Sequence, residues 1–440
     1  MRRFLPWLGL IAAAVLPAGA GAAPLLLISI DGLRPGDVAQ ADARGLKIPT
    51  LRKLAAEGAH ASGVVGVLPS LTYPSHTTLI TGASPARHGI SNNLTFDPKG
   101  INQTGWYWYA EDIRVPTLWD AARKAGLKTL NVHWPVSVGA PVDANIPQIW
   151  RTGHEDDRKL LRALATPGLV DGAPDAIAAF PQGIDESVDA DAARSDAAAT
   201  LIGRLKPGFT TVYLAGLDHV EHEHGPDSAE ARAALERIDG MIAKLTAAAV
   251  AADPDTVVAL VSDHGFLPVS TDVNLFAPFL QAGLITLEGG KVKDWQAMPW
   301  LAGGGAGVVL ANRDDAALRD KVAKLLAGLK ADPRLGIAAI LDRAEIVRRG
   351  GAQEADFWIS FRPGFETGRD PSAPMTAPSV TRGMHGYDPA YPEMRSTLIL
   401  WGKALPWKGD LGEVDMRAIA PTLAKLMGGA LPTAELPPIR

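Results

Sequence analysis

The chain of 440 residues has no cysteine. Disulfide staples and thiolate zinc sites are thereby excluded, so a bound metal must rest on His, Asp, Glu or hydroxyl oxygen. There is no basic excess: 43 Lys and Arg stand against 48 Asp and Glu, a net charge of -5. That balance gives no support for a nucleic-acid surface. Beyond the first residues, no run of about 18 uncharged apolar residues could span a bilayer. Aromatics are sparse, at 6%. What is there is 47% hydrophobic and 21% charged, the composition of a globular protein with a sizeable core. No motif speaks to oligomeric state.

The one apolar leader is N-terminal. Arg2 and Arg3 precede Phe4 to Leu16, and small residues follow as far as Ala23. This layout predicts a signal peptide over residues 1–23, with cleavage between Ala20 and Pro24. It implies an exported protein, periplasmic or secreted.

Three later apolar runs, Pro24 to Ile30, Thr210 to Leu217 and Asp255 to Val261, read as buried parallel strands. They end in Asp31, Asp218 and Asp263. Helix-like stretches at 48–58, 115–125 and 228–250 alternate with them. The pattern predicts an α/β fold, a doubly wound and mostly parallel central sheet with helices on both faces. Such sheets bind ligands outside the carboxyl ends of their strands. One Asp-Gly is an ordinary turn; three strand-end aspartates mark a site. A strand over 61–68 leads to Thr72, and a helix over Ser75 to Thr81 follows, closed by Gly82. A Thr at such a turn is ordinarily a helix cap. Here it is also a candidate nucleophile.

Residues 281–365 differ. Their β-α-β-β order predicts a small α+β insertion between a core of 24–280 and a return to that core over 366–440. The Gly303–Gly305 run is followed by no Gly-Lys-Ser/Thr, so it is not a phosphate loop. The cluster Gly105 to Tyr109 suits either core or lid packing or a wall of a substrate pocket.

Of ten His, several fall beside these aspartates. His222 stands four residues after Asp218, the spacing of one helix face. His264 directly follows Asp263, and His385 lies in a late Gly-flanked loop. Mixed His and carboxylate ligation suits zinc, with manganese and iron as alternatives. The counts divide into two metals. Two ions about 4 Å apart can clamp the attacking and leaving oxygens of a phosphoryl transfer. A hydroxyl such as that of Thr72 would be activated beside them.

Six segments together resemble the nucleotide pyrophosphatase/phosphodiesterase family of the alkaline phosphatase superfamily. They are ISIDG at Asp31, LPSLTYPSHTTLITG at Thr72, HGISNN at Asn93, LDHVEHEHGP at Asp218 and His222, VSDHG at Asp263 and His264, and MHGYDP at His385. The resemblance implies an alkaline phosphatase-like fold and a phosphoric diester hydrolase with two zinc ions. Asp31, Thr72, Asp263 and His264 would hold one ion, and Asp218, His222 and His385 the other. Thr72 would form a phosphothreonine intermediate. Asn93, with Asn92 as competitor, would donate to a phosphate oxygen. Tyr73 would stack on a nucleotide base or simply pack.

Two departures stand out. Glu221 occupies a position where the family usually has a small residue, and it becomes either an outer partner of the site or a solvent-facing side chain. The absence of Cys also sets the chain apart from animal secreted members with disulfide-linked extra domains. The implied partner is a small-molecule phosphate diester, in a pocket lined from 95–115, 133–200 and 281–365. A phosphomonoesterase or a phosphonoacetate hydrolase-like enzyme would use the same metals. A sulfatase fits poorly, because Thr72-Tyr-Pro-Ser-His76 lacks the Cys/Ser-x-Pro-x-Arg pattern. A non-enzymatic zinc-binding protein would keep the ligands without turnover.

Overall fold

Leu25–Ile30 lies at the centre of an eight-stranded sheet, between Val257–Val261 and Phe209–Leu214 and parallel to both. The computed structural model describes residues 22–102, 105–150, 156–170, 180 and 185–440. Residues 1–21 of the expected signal peptide lie outside them. Beyond Phe209–Leu214 come Thr129–Val132 and Ala144–Ile146, again parallel. On the other side Leu398–Trp401 runs antiparallel, followed by the short Ala59–His60 and Gly409–Asp410. The sheet is therefore mostly parallel, as the apolar runs predict.

Both faces of the sheet are covered. Along the central strand, Leu26, Ile28 and Ile30 join one apolar cluster and Leu25 and Leu27 the other. The first cluster takes in the helices Val188–Leu205 and Ala229–Ala252; the second takes in Thr72–Thr81, Leu118–Lys124 and Ile419–Leu426. This is the doubly wound arrangement. A strand of alternating side chains buried on both faces must be apolar throughout, which is why these runs are continuous.

A second apolar cluster system runs from Leu267 to Met394. Its four-stranded antiparallel sheet has the order Ala297–Leu301, Gly305–Leu310, Phe357–Phe361, Ile337–Asp342. Helix Ala316–Ala331 packs on it. A hairpin, Ile285–Glu288 with Lys291–Trp295, precedes it. The strand Leu267–Val273, not anticipated from the sequence, pairs with Gly364–Thr367, Thr376–Pro378 and Gly383–Met384. The last of these pairings brings His385 back beside His264. Gly304 makes the close approach possible: its N–H donates to the His385 carbonyl at 2.8 Å, and a Cβ there would lie 2.4 Å from the Tyr387 ring. Among the described residues no helix is long and apolar enough to cross a membrane.

Candidate active site

Asp31 and Tyr213, at the C-terminal ends of two central strands, line one cavity of about 290 Å³ with Asp218, and Asp263 and His264 lie buried behind it. Asp31 follows its strand directly and Asp263 lies two residues past its own. Asp218 differs from the expectation. The strand ends at Leu214, and Asp218 sits in the first turn of helix Gly216–His224. Ala215 takes helical backbone angles there, so the apolar Gly216-Leu217 belongs to the helix rather than to the strand. The helix then sets His222 and Asp218 on one face, with Nε2 3.4 Å from Oδ2.

Thr72 is the first residue of a helix that starts there rather than at Ser75. Pro74 fits inside a first turn, where backbone N–H groups lack helical partners. Leu71, not Thr72, occupies the cap position. The Thr72 hydroxyl makes no hydrogen bond among the described residues, and the residue lines the cavity. All ten residues of Thr72–Thr81 are buried, so the hydroxyl is held by a rigid element. His76 fixes it further. Its Nδ1 donates to the Thr72 carbonyl at 2.8 Å, and its Nε2 accepts from the Ser29 hydroxyl at 2.8 Å. Burial pushes this imidazole down to about 3, so it acts as a neutral strut.

Three other imidazoles share one orientation. His222 Nδ1 donates to Gly383 O at 2.9 Å, His264 Nδ1 to Gly265 O at 3.2 Å, and His385 Nδ1 to Ser70 O at 3.3 Å. A carbonyl can only accept, so each Nε2 presents a lone pair. Those lone pairs meet carboxylate oxygens. His264 Nε2 is 3.1 Å from Asp263 Oδ2 and 3.4 Å from Asp31 Oδ1, and His385 Nε2 is 3.6 Å from Asp218 Oδ1. Asp31 Oδ1, Asp218 Oδ1, Asp263 Oδ2 and His264 Nε2 are buried without a hydrogen-bond partner. Acceptors gathered against acceptors are stable only around cations or with protons on the carboxyl groups. Two groups could each hold one: Asp31, Asp263 and His264, and Asp218, His264 and His385. The rings of His264 and His385 stack at 3.7 Å, which places the two groups side by side. Both groups draw on His264, whose Nε2 has one lone pair, so a second ion beside the first would need another donor, which His222, 3.4 Å from Asp218 Oδ2, could supply.

Burial is the main cause of the charge states without metal. It raises Asp31 and Asp218 well above the carboxyl range and Asp263 up to about 7, while pushing His222 down to about 4. The Asp263 carboxyl ionises near 3.8 in the unfolded chain, so its contribution to stability is complete below 3.8 and gone above about 7. His222 runs oppositely: its contribution is complete above 6.5 and lost as pH falls toward about 4. Above pH 6.5 the carboxyl groups therefore govern the metal-free protein, and bound cations would remove their penalty. We expect the Tm gap between metal-loaded and chelated protein to widen from pH 6.5 to about 8. A gap that stays constant in thermal scans would detach these carboxylates from the metals.

The remaining predicted residues divide. Asn93 Oδ1 accepts from the Tyr73 N–H at 2.9 Å, which leaves the Asn93 Nδ2 donor free. Asn92 is spent structurally: Nδ2 donates to Leu301 O and Oδ1 accepts from the Asn93 N–H. Tyr73 is buried, its hydroxyl donates to Gln148 Oε1 at 2.7 Å, and its ring tilts against Trp106 at 5.2 Å. Trp106, from the aromatic cluster, lines the cavity with Trp150. Glu221 does not face solvent: it is 1% exposed, and a Cβ on Gly32 would lie 2.8 Å from its Oε2. Sequence reasoning missed His76, Tyr213, Glu186 and Arg369. The Tyr213 hydroxyl donates to Asp31 Oδ2, and Glu186 and Arg369 lie on the cavity wall. His76 had a signal, four residues after Thr72 on a helix. A larger cavity of about 750 Å³ lies under helix Pro49–Glu57 and has no comparable gathering of ligands.

Comparison with known proteins agrees with this geometry. A family model described as type I phosphodiesterase / nucleotide pyrophosphatase matches residues 25–388. Human ectonucleotide pyrophosphatase/phosphodiesterase family member 1 is 28% identical over 242 residues, covering 52% of this chain and 22% of the human protein. Venom phosphodiesterase 2 of Crotalus adamanteus is 25% identical over 267 residues, covering 58% of this chain and 28% of its own. The matched part thus spans only about a quarter of those relatives. Among solved structures, murine ectonucleotide pyrophosphatase/phosphodiesterase 5 superposes with a TM-score of 0.65 at 18% identity, over 94% of this chain and 96% of that one. Its human counterpart gives 0.65 at 18%, over 92% and 95%. These last likenesses are of fold. With the family model matched across most of its length, this chain belongs to the type I phosphodiesterase / nucleotide pyrophosphatase family.

Proposed function

We propose that the protein is an exported di-zinc hydrolase of nucleotide-type phosphate diesters, with Thr72 as nucleophile. The observation that supports it most is the set of imidazoles His222, His264 and His385, each tied by Nδ1 to a backbone carbonyl and turning Nε2 toward unpartnered carboxylate oxygens. Asp31, Thr72, Asp263 and His264 would hold one zinc, and Asp218, His222 and His385 the other. Bound there, the ions supply charge neutralisation for the phosphate and a lowered pKa for the nucleophile.

The steps belong to the chain's own groups. Thr72 gives up its hydroxyl proton, and its Oγ1 bonds to phosphorus as the bond from phosphorus to the leaving oxygen breaks. The leaving oxygen takes a proton and departs. Water then attacks the phosphothreonine, the Oγ1–P bond breaks, and a proton restores the hydroxyl. Asn93 Nδ2 donates to a non-bridging oxygen, held in place by the Tyr73 N–H on its other end. The strut His76 keeps Oγ1 from drifting as charge develops.

Glu186, when ionised, would favour a diester over a monoester, although burial raises its carboxyl. It lies on the same wall as Asp218, and a second negative charge on the phosphate would be repelled by it. Leu301 and Gly303 of the 281–365 segment also reach this wall, which suits a cap over the core of 24–280 and 366–440. Export rests on the N-terminal pattern of Arg2 to Ala23. The test is a substrate pair with added zinc. Thymidine p-nitrophenyl phosphate should be cleaved with kcat/KM at least about 10-fold above that for p-nitrophenyl phosphate. Preference for the monoester would replace this reading by a phosphomonoesterase.

A further inference from the structure

Helix Gly216–His224 carries Asp218 and His222, yet it has only nine residues. Isolated helices shorter than about 12 residues are marginal in water. Its first turn has backbone N–H groups without helical partners, and its cap residue, Ala215, has no polar side chain to offer them. The partner comes from another helix. Asp191, in the first turn of helix Val188–Leu205, accepts the Ala215 N–H at 3.1 Å with Oδ1 and the Gly216 N–H at 2.6 Å with Oδ2. Gly216 is pressed against it: a Cβ there would lie 2.8 Å from Asp191 Oδ2 and 2.9 Å from the Val188 backbone.

An acidic residue in a first helical turn ordinarily serves its own helix. Asp191 does not have to, because Ser187 already caps that helix, its Oγ accepting the Ala190 N–H at 3.1 Å. An arginine three residues on is ordinarily a surface pair of little consequence. Here Arg194 donates to Asp191 Oδ1 at 2.9 Å, and both residues are fully buried. Burial raises the Asp191 carboxyl, and Arg194 with the two backbone N–H groups draws it back. The metal-facing helix is thus tied at its two ends by different parts of the chain. At the C-terminal end His222 Nδ1 donates to Gly383 O at 2.9 Å, and the His222 carbonyl accepts the Arg382 N–H at 2.8 Å. At the N-terminal end stand Asp191 and, at the third position of the helix, Asp218. Asp218 Oδ1 has no hydrogen-bond partner, so its direction is inherited from the backbone that Asp191 holds.

We propose that Asp191 is a positioning residue for the metal centre: a carboxylate outside the cavity that fixes the start of helix Gly216–His224 and thereby aims Asp218 at the ion it would share with His222 and His385. The inference rests on the di-metal reading and adds to it a residue that no ligand spacing in the sequence marks. Asp191 does not line the cavity, so it meets neither substrate nor ion. Its effect reaches catalysis through the occupancy of one ion. Asp31 and Asp263 follow the strands Leu25–Ile30 and Val257–Val261, which Asp191 does not hold, so the other ion should be spared.

The test titrates zinc into the zinc-depleted protein against a competing chelator, for wild type, Asp191→Asn and Arg194→Gln. Asparagine offers one acceptor oxygen in place of two and turns an amide N–H toward the second backbone donor. In Asp191→Asn one of the two ions should bind about 10- to 100-fold more weakly, and the other within about threefold of wild type. Diester hydrolysis lost at limiting zinc should return as zinc is raised, which a damaged fold does not allow. Arg194→Gln leaves both backbone contacts of Asp191 in place. It should lower Tm yet keep both zinc affinities within about threefold. If Asp191→Asn does not fold, the double variant with Arg194→Gln carries the same comparison, since it leaves no buried charge unpaired. Equal weakening of both ions, unchanged affinities, or the same loss in Arg194→Gln would overturn the assignment. Wild type that binds fewer than two ions would instead remove the di-metal reading beneath it.

Discussion

Thr72→Ala is expected to lower kcat/KM on phosphate diesters by at least about 10³-fold, with metal content still close to two ions per chain. The substitution removes one oxygen and little else. The Thr72 hydroxyl is bonded to no described residue, so no buried partner is orphaned. The helix is retained, because alanine is the strongest helix former and the Thr72 carbonyl still accepts from His76. The carboxylates and imidazoles of both metal groups are untouched. Serine at this position keeps an oxygen in place and should recover part of the rate. The measurement is steady-state hydrolysis alongside elemental analysis of the same samples. An alanine variant holding more than about a tenth of wild-type activity would remove Thr72 as nucleophile. An alanine variant that loses metal as well would make Thr72 mainly a ligand.

The parts of this site that were legible in the sequence are those fixed by local pattern. A buried parallel strand must be apolar along its whole length, so an aspartate closing such a run is conspicuous; Asp31 and Asp263 were found this way. Asp218 was found too, but on the wrong element. The run through Leu217 suits a strand or a buried helix equally, and apolar character alone does not choose between them. Helix Ala229–Ala252 lies within a few residues of the expected 228–250 for the same local reasons.

What escaped depends on distant chain. Strand Leu267–Val273 alternates buried and exposed side chains and holds Pro268, and its partners lie about a hundred residues on. No local signal reports such pairing. Yet it is this strand that delivers His385 to the other candidate ligands, a placement its Gly-flanked loop alone does not reveal. Arg369 and Glu186 lie in irregular segments, where position is set by tertiary packing and no periodicity exists to read. The hairpin of Ile285–Glu288 and Lys291–Trp295 is a different case. Its turn is Gly289-Gly290, both at positive φ, a pair that marks a tight hairpin and was open to reading.

Asp263→Asn should cost about one metal ion per chain and at least about 10³-fold in kcat/KM, with the fold intact. Asp263 does two separable things. Its Oδ1 accepts the Gly32 N–H at 3.2 Å, which ties the end of one central strand to the loop after its neighbour. Its Oδ2 faces His264 Nε2 at 3.1 Å and His76 Nδ1 at 3.6 Å and has no hydrogen-bond partner. Asparagine can keep the first contact through its carbonyl oxygen. On the other side it replaces an anionic acceptor by a neutral amide, a poor ligand for zinc. The chelated variant should in turn be more stable than chelated wild type above about pH 7, because the amide has no charge to bury. Loss of one ion and gain of metal-free stability in the same protein is a combination that general damage to the fold does not produce. If Asp263→Asn kept both ions and full activity, the group of Asp31, Asp263 and His264 would not be a metal site. Both ions would then have to be held by other residues.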